Sequence, residues 1–297
     1  MTRKRQIRKI IVITLLILGL LIALTFANIS FSRQHPGGFD FLTGWVGTRS
    51  FLLDGKSPYA SETTLRIQQI AYGQAVAQEQ EPLQFTFPLY GIAVFAPFSL
   101  VNDYVTARSL WMTLLEGGVL GTLYLSTRLV RRRKPLWLTI SLVIFTLFSY
   151  QTIQPLIEGN IAILVALLLL AAILGVMDRH DEVSGILLAL SMIKPTLSIL
   201  PVFFILIWTL TRKRKAPFYW FLGSMITLVG FSFLLIPDWI VQNLRTFVQF
   251  VQTMRLGSPG GILAGAWGDI GMRLSVFLTV LVAGWLLLEW RSAFNGN

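Results

Sequence analysis

Apolar residues run along this chain in long blocks separated by short basic turns, a pattern of buried or membrane-spanning helices and not of half-buried strands. Residues 10 to 31 form the first block, long enough to cross a bilayer. The run exceeds a signal-peptide core and no small-residue cleavage motif follows it, so it reads as a retained first helix. Further blocks near 105–127, 136–150, 161–177, 183–193, 196–210, 218–236 and 274–290 bring the expected count to about eight transmembrane helices. Residues 87–101, FPLYGIAVFAPFSLV, are apolar but short and broken by Pro97, which predicts a re-entrant or interfacial element. Between the blocks, QTIQPLIEGN (151–160) reads as a loop, DRHDE (178–182) as a turn, and Lys194-Pro195 as a break. The expected fold is an all-α polytopic membrane protein, a single transmembrane domain over 1–297. The chain stops soon after its last block, as a shortened member of something larger would.

Charge orients this arrangement. Arg3, Lys4, Arg5, Arg8 and Lys9 place the N-terminus in the cytoplasm, and residues 32–104 and 237–271 then become the two large extracytoplasmic regions. Arg128 with Arg131 to Lys134, and Arg212 to Lys215, fall inside only if 87–101 does not cross. The chain is 54% hydrophobic and 13% charged, with a mean hydropathy of +0.67, which excludes a soluble domain. Its net charge of +11 would suggest nucleic acid in a soluble protein, but here the basic residues cluster between apolar blocks and serve orientation. No cysteine is present, which excludes disulfides, thiol catalysis and cysteine metal sites. The two histidines, His35 and His180, lie far apart, so neither a metal nor another cofactor is expected. No internal repeat of the inverted-repeat transporter kind appears.

Candidate chemistry concentrates in 37–59, GGFDFLTGWVGTRSFLLDGKSPY, just beyond the first block. If 41–53 is helical, Phe41, Trp45, Thr48 and Leu52 form an apolar stripe that would lie in the membrane interface, with the helix parallel to the membrane. Asp40 suits the N-cap of that helix, and Asp54-Gly55 with Pro58 suits its end. A carboxylate at a helix N-terminus stays ionised, so capping does not exclude work as a base. Lys194 beside Pro195 is either a snorkelling residue or a cation facing a hydrated cavity. WIVQNLRTFVQFVQTM (239–254) predicts a second interfacial helix, on which Arg245 and Arg255 face headgroups or a ligand, and the glycine-rich LGSPGGILAGAWGDIG follows it within the second outer region, ahead of the last span at 274–290. Glu116, among Gly117, Gly118 and Gly121, suits close helix packing. Trp45, Trp239 and Trp267 suit either a groove or an interfacial belt.

The ordered combination of Phe39-Asp40-Phe41, Trp45, Arg49, Leu53 to Gly55, Pro58-Tyr59, Phe87-Pro88, Phe95-Ala96-Pro97, Gly159-Asn160 and Ile193-Lys194-Pro195 resembles the GT-C glycosyltransferases that use polyprenyl-phosphate sugars. The likeness is closest to the membrane mannosyltransferases of the phosphatidylinositol-mannoside type, and it spans roughly 38 to 236. The chain departs from them at Phe87-Pro88-Leu89-Tyr90 and at Gly159-Asn160, where the family tends to Tyr-Pro-Pro-Leu and Gly-Gln. The resemblance implies a GT-C-like helical bundle in the cell membrane. It implies a polyprenyl-phosphate sugar donor, a glycolipid or glycan acceptor, and Asp40 as general base. Donor-phosphate contacts would come from Lys194 first, then Arg49, His35, Arg245 and Arg255. Acceptor or sugar contacts would come from Glu158, Asn160, Trp45 and Tyr59. A lipid-linked substrate flippase, and an inactive shortened paralogue serving as a partner subunit, are the rival readings. The first would make Glu116 essential, and the second would leave Asp40 replaceable.

Overall fold

The computed structural model describes residues 3–74, 83–130, 135–253 and 259–295, and among these every regular element is helical. Long helix α1 (Arg3–Gln34) is followed by α2 (Phe39–Asp54) and α3 (Ser61–Tyr72). A 3-10 turn (Leu89–Gly91) leads into the short α4 (Ile92–Ser99), and α5 (Tyr104–Leu129) then runs the length of the bundle. Next come α6 (Leu136–Phe148), α7 (Tyr150–Glu158), α8 (Ala162–Met177), α9 (Asp181–Ser191), α10 (Pro195–Thr211), α11 (Ala216–Leu235), α12 (Trp239–Thr253) and α13 (Pro259–Asn295).

Four stretches are long and apolar enough to cross a membrane: Ile11–Gln34, Leu136–Glu158, Ala216–Leu235 and Gly260–Phe294. The chain is therefore membrane-embedded, but length and composition do not reproduce the expected count of about eight. Breaks at Gly159-Asn160 and Lys194-Pro195 leave α8 with 16 residues, α9 with 11 and α10 with 17. The 87–101 segment is short as expected, its eight-residue α4 packed on α2.

Two further expectations are corrected. QTIQPLIEGN is not a loop, because α7 takes up residues 150–158 with Pro155 inside it, following α6 after a break at the extended Ser149. The glycine-rich stretch is helical from Pro259, and its break falls at the single residue Gly268, whose φ of 57° and ψ of −134° leave the helical region. The basic cluster 131–134 lies outside the described residues.

Polar contacts hold α1 to α5 along one seam. Thr25 Oγ1 lies 3.1 Å from Thr113 Oγ1, and the Asn28 amide donates to Thr113 Oγ1 and to Glu116 Oε2, each at 3.1 Å. Ser109 donates to Ser32 Oγ at 3.4 Å. Glu116 thus bonds across a close helix pair. On α9, Gly185 lets α11 approach: a Cβ there would fall 2.5 Å from the Pro217 carbonyl oxygen. At one end of the bundle, Arg214 pairs with Asp181 and Arg128 lies 3.7 Å from Asp178. At the other end the chain breaks described next converge.

Candidate functional site

The aromatic core forms first. Phe41, Trp45, Phe95 and Trp111 are buried together, with Phe41 stacked on Trp111 at 5.3 Å between ring centroids. The stripe Phe41, Trp45 and Thr48 on α2 therefore faces protein, and of its members only Leu52, 41% exposed, faces outward. This corrects the expectation that the stripe lies in the membrane interface. Glycines permit the packing: a Cβ on Gly44 would fall 2.5 Å from the Phe95 ring, and one on Gly159 2.5 Å from Phe41 Cβ. Gly159 also has a φ of 69°, a conformation that glycine tolerates and β-substituted residues resist.

Helix α2 begins two residues earlier than a capping Asp40 would require. Gly38, in the left-handed region at φ 78° and ψ 41°, is the N-cap, and Asp40 sits in the first turn. The cap comes from 119 residues away, where Glu158 Oε2 accepts the Phe39 N–H at 3.2 Å. Relieved of capping, the Asp40 carboxylate points at the α7–α8 turn. Asn160 Nδ2 donates to Asp40 Oδ2 at 2.6 Å. Asn160 Oδ1 in turn accepts from the Ala162 N–H at 2.9 Å and from Lys194 Nζ at 2.8 Å. Two donors on Oδ1 fix the amide's orientation, because its NH2 is then the group left for Asp40.

Lys194 stands in the gap between α9 and α10, where Pro195 opens α10. Tyr90 donates to the Met192 carbonyl at 2.8 Å, and a Cβ on Gly91 would fall 3.3 Å from Ile193. The FPLY segment thereby holds the lysine loop. Burial pulls the Lys194 ammonium below the ordinary lysine value, against the opposing pull of the Asp40 charge. Burial also pushes the Tyr90 hydroxyl up to about 12 and raises that of Tyr59, which donates to the Phe87 carbonyl at 2.7 Å.

The structure thus joins Asp40, Asn160 and Lys194, with Glu158 alongside. It does not bring the remaining expected residues into that array. Arg49 is spent on the Ser99 and Val101 carbonyls and the Asn102 side chain, at 2.8, 3.3 and 3.0 Å. Trp45 donates to the Phe98 carbonyl, and Tyr59 is buried. His35 is exposed and stacked on Phe31 at the end of α1, while Arg245 is exposed on α12. Arg255 lies outside the described residues. Among the tryptophans, Trp239 is buried and Trp267 exposed. Arg108, fully buried beneath the α1–α2 turn, was not singled out from sequence, since an arginine near the start of a helix reads as an interfacial anchor.

Near the array, though lined by none of its three side chains, runs an apolar groove of about 400 Å³ between α5, α6, α7, α8 and α10. Ala162 and Leu197, two and three residues from Asn160 and Lys194, line it. Among the described residues no group of three or more metal-ligating side chains gathers.

The model of glycosyltransferase family 87 matches residues 85–296. The chain belongs to glycosyltransferase family 87. The matched region of this family 87 protein contains Glu158, Asn160 and Lys194, and it begins after Asp40. Neither a curated protein nor a solved structure matches the chain. A membrane-embedded glycosyltransferase is the identity these observations carry.

Proposed function

We propose that this family 87 protein transfers a hexose, with mannose favoured by resemblance, from a polyprenyl-phosphate sugar to an extracytoplasmic glycolipid or glycan. The hydrogen-bonded array Asp40–Asn160–Lys194 beside an apolar groove carries this reading. A lipid-linked donor needs both halves, an apolar path for its prenyl chain and a cation for its phosphate. Asp40 takes the proton of the acceptor hydroxyl as that oxygen attacks the anomeric carbon. The bond from that carbon to the phosphate oxygen breaks, the lipid phosphate keeps the electron pair, and the Lys194 ammonium stabilises its charge. A phosphate leaves without being protonated, so a second carboxylic acid is unnecessary. Inversion at the sugar carbon is carried by the resemblance, and the cytoplasmic N-terminus by the basic residues Arg3, Lys4, Arg5, Arg8 and Lys9.

The test is transfer of radiolabelled mannose from polyprenyl-phosphate-mannose into lipid, by membranes bearing wild type or Asp40→Asn at matched levels. A loss of about 10²- to 10⁴-fold in the variant is expected of a general base. Equal transfer would discard Asp40. No transfer by either protein would point to another donor, or to the flippase and partner-subunit readings.

A further inference from the structure

Asp40 and Asn160 sit on segments 120 residues apart, and one side chain grips the backbone of both. Arg108 on α5 is 1% exposed. Its Nη1 donates to the His35 carbonyl at 2.7 Å and its Nη2 to the Ile157 carbonyl at 2.9 Å. His35 stands five residues before Asp40, and Ile157 three before Asn160. The guanidinium Nε is buried without an acceptor and lies against Gly38, where any Cβ would collide with it. One turn earlier on α5, the Tyr104 hydroxyl lies 2.9 Å from the carbonyl oxygens of both Gly37 and Gly38. The planar fork of an arginine can hold two carbonyls on divergent segments at a fixed separation. An ammonium, a single donor centre, does that poorly.

We propose that Arg108, assisted by Tyr104, is a positioning residue that sets Asp40 against Asn160. The inference rests on Asp40 being the base. The Lys194 Nζ reaches Asn160, but the backbone of its loop is anchored separately, through Tyr90 and the Met192 carbonyl, so the effect of Arg108 falls on the transfer step more than on donor binding.

The experiment uses the full chain in lipid nanodiscs, with polyprenyl-phosphate-mannose as donor. kcat, donor KM and thermal midpoint are measured for Arg108→Lys, Arg108→Gln, Tyr104→Phe, Asp40→Asn and the Asp40→Asn/Arg108→Lys double variant. Displacing the base by an ångström predicts a fall in kcat of about 100-fold for both Arg108 variants, with donor KM unchanged. Tyr104→Phe should lower kcat by about fivefold, one neutral hydrogen bond. Arg108→Lys should cost nothing further once Asp40 is Asn. Unchanged kcat, or a donor KM that rises as kcat falls, would overturn the proposal. If the Arg108 variants do not fold, Tyr104→Phe decides, and a folded variant with wild-type kcat overturns it. Full activity of Asp40→Asn would remove the base assignment and this inference with it. Loss in Asp40→Asn beside intact Arg108 and Tyr104 variants would remove this inference alone.

Discussion

Two part-buried polar clusters differ in construction. The α1–α5 seam draws Thr25, Asn28 and Ser32 from one continuous helix, and Ser109, Thr113 and Glu116 from another, at spacings that put each set on one face. Its members bond to each other and to backbone carbonyls of their own helices. The Asp40–Asn160–Lys194 array draws one residue from each of three chain breaks, at Gly38, Gly159 and Pro195. Its terminal groups are only partly matched: among the described residues Asp40 Oδ1 takes no protein partner, and Lys194 Nζ bonds only to Asn160. Polar residues that satisfy one another pack helices, whereas those held apart at helix breaks can meet a ligand.

Substitutions sharpen this contrast. Gly159→Ala should do most harm, because the new methyl meets Phe41 and the left-handed backbone is strained. We expect about 2–4 kcal/mol of destabilisation, seen as a lowered thermal midpoint, with loss of transfer. Lys194→Met should leave the fold intact and cut kcat by about 10²- to 10³-fold, the usual cost of losing one group that stabilises developing charge. A smaller neutral-pH effect is expected of Lys194→Arg, and its information lies in alkali. The wild-type ammonium, with its pKa lowered by burial, loses its proton as pH rises, so transfer should fall below the ordinary lysine value near 10.4, while the arginine variant keeps its charge there. Glu116→Gln should matter least, with unchanged transfer and a stability change of about 0.6 kcal/mol, typical of one interhelical hydrogen bond. Abolished transfer in that variant would erase the distinction between the clusters.

Much of the framework was legible from local chemistry. Asp54-Gly55 ends α2 as expected, with Gly55 left-handed at φ 64°, and Pro195 opens α10 after the Lys194 break. The amphipathic 239–253 stretch is one helix. What sequence hid were contacts between distant segments. Nothing near Asp40 reveals that Glu158 caps its helix, that Arg49 and Trp45 serve the α4–α5 connection, or that Arg108 ties His35 to Ile157. Pro155 misled because proline usually marks a break, yet here it lies within α7. The glycine-rich stretch misled because its glycines are taken up in helical backbone on both sides of a kink at Gly268, where two helices meet.

The amide of Asn160 acts as an insulator. A carboxylate and an ammonium in direct contact would neutralise each other and resist separation by any incoming group. With an amide between them, donating to one and accepting from the other, the two groups are held in place without direct contact. On the proposed mechanism, the array would thereby offer opposite charges side by side, one to a hydroxyl proton and one to a phosphate.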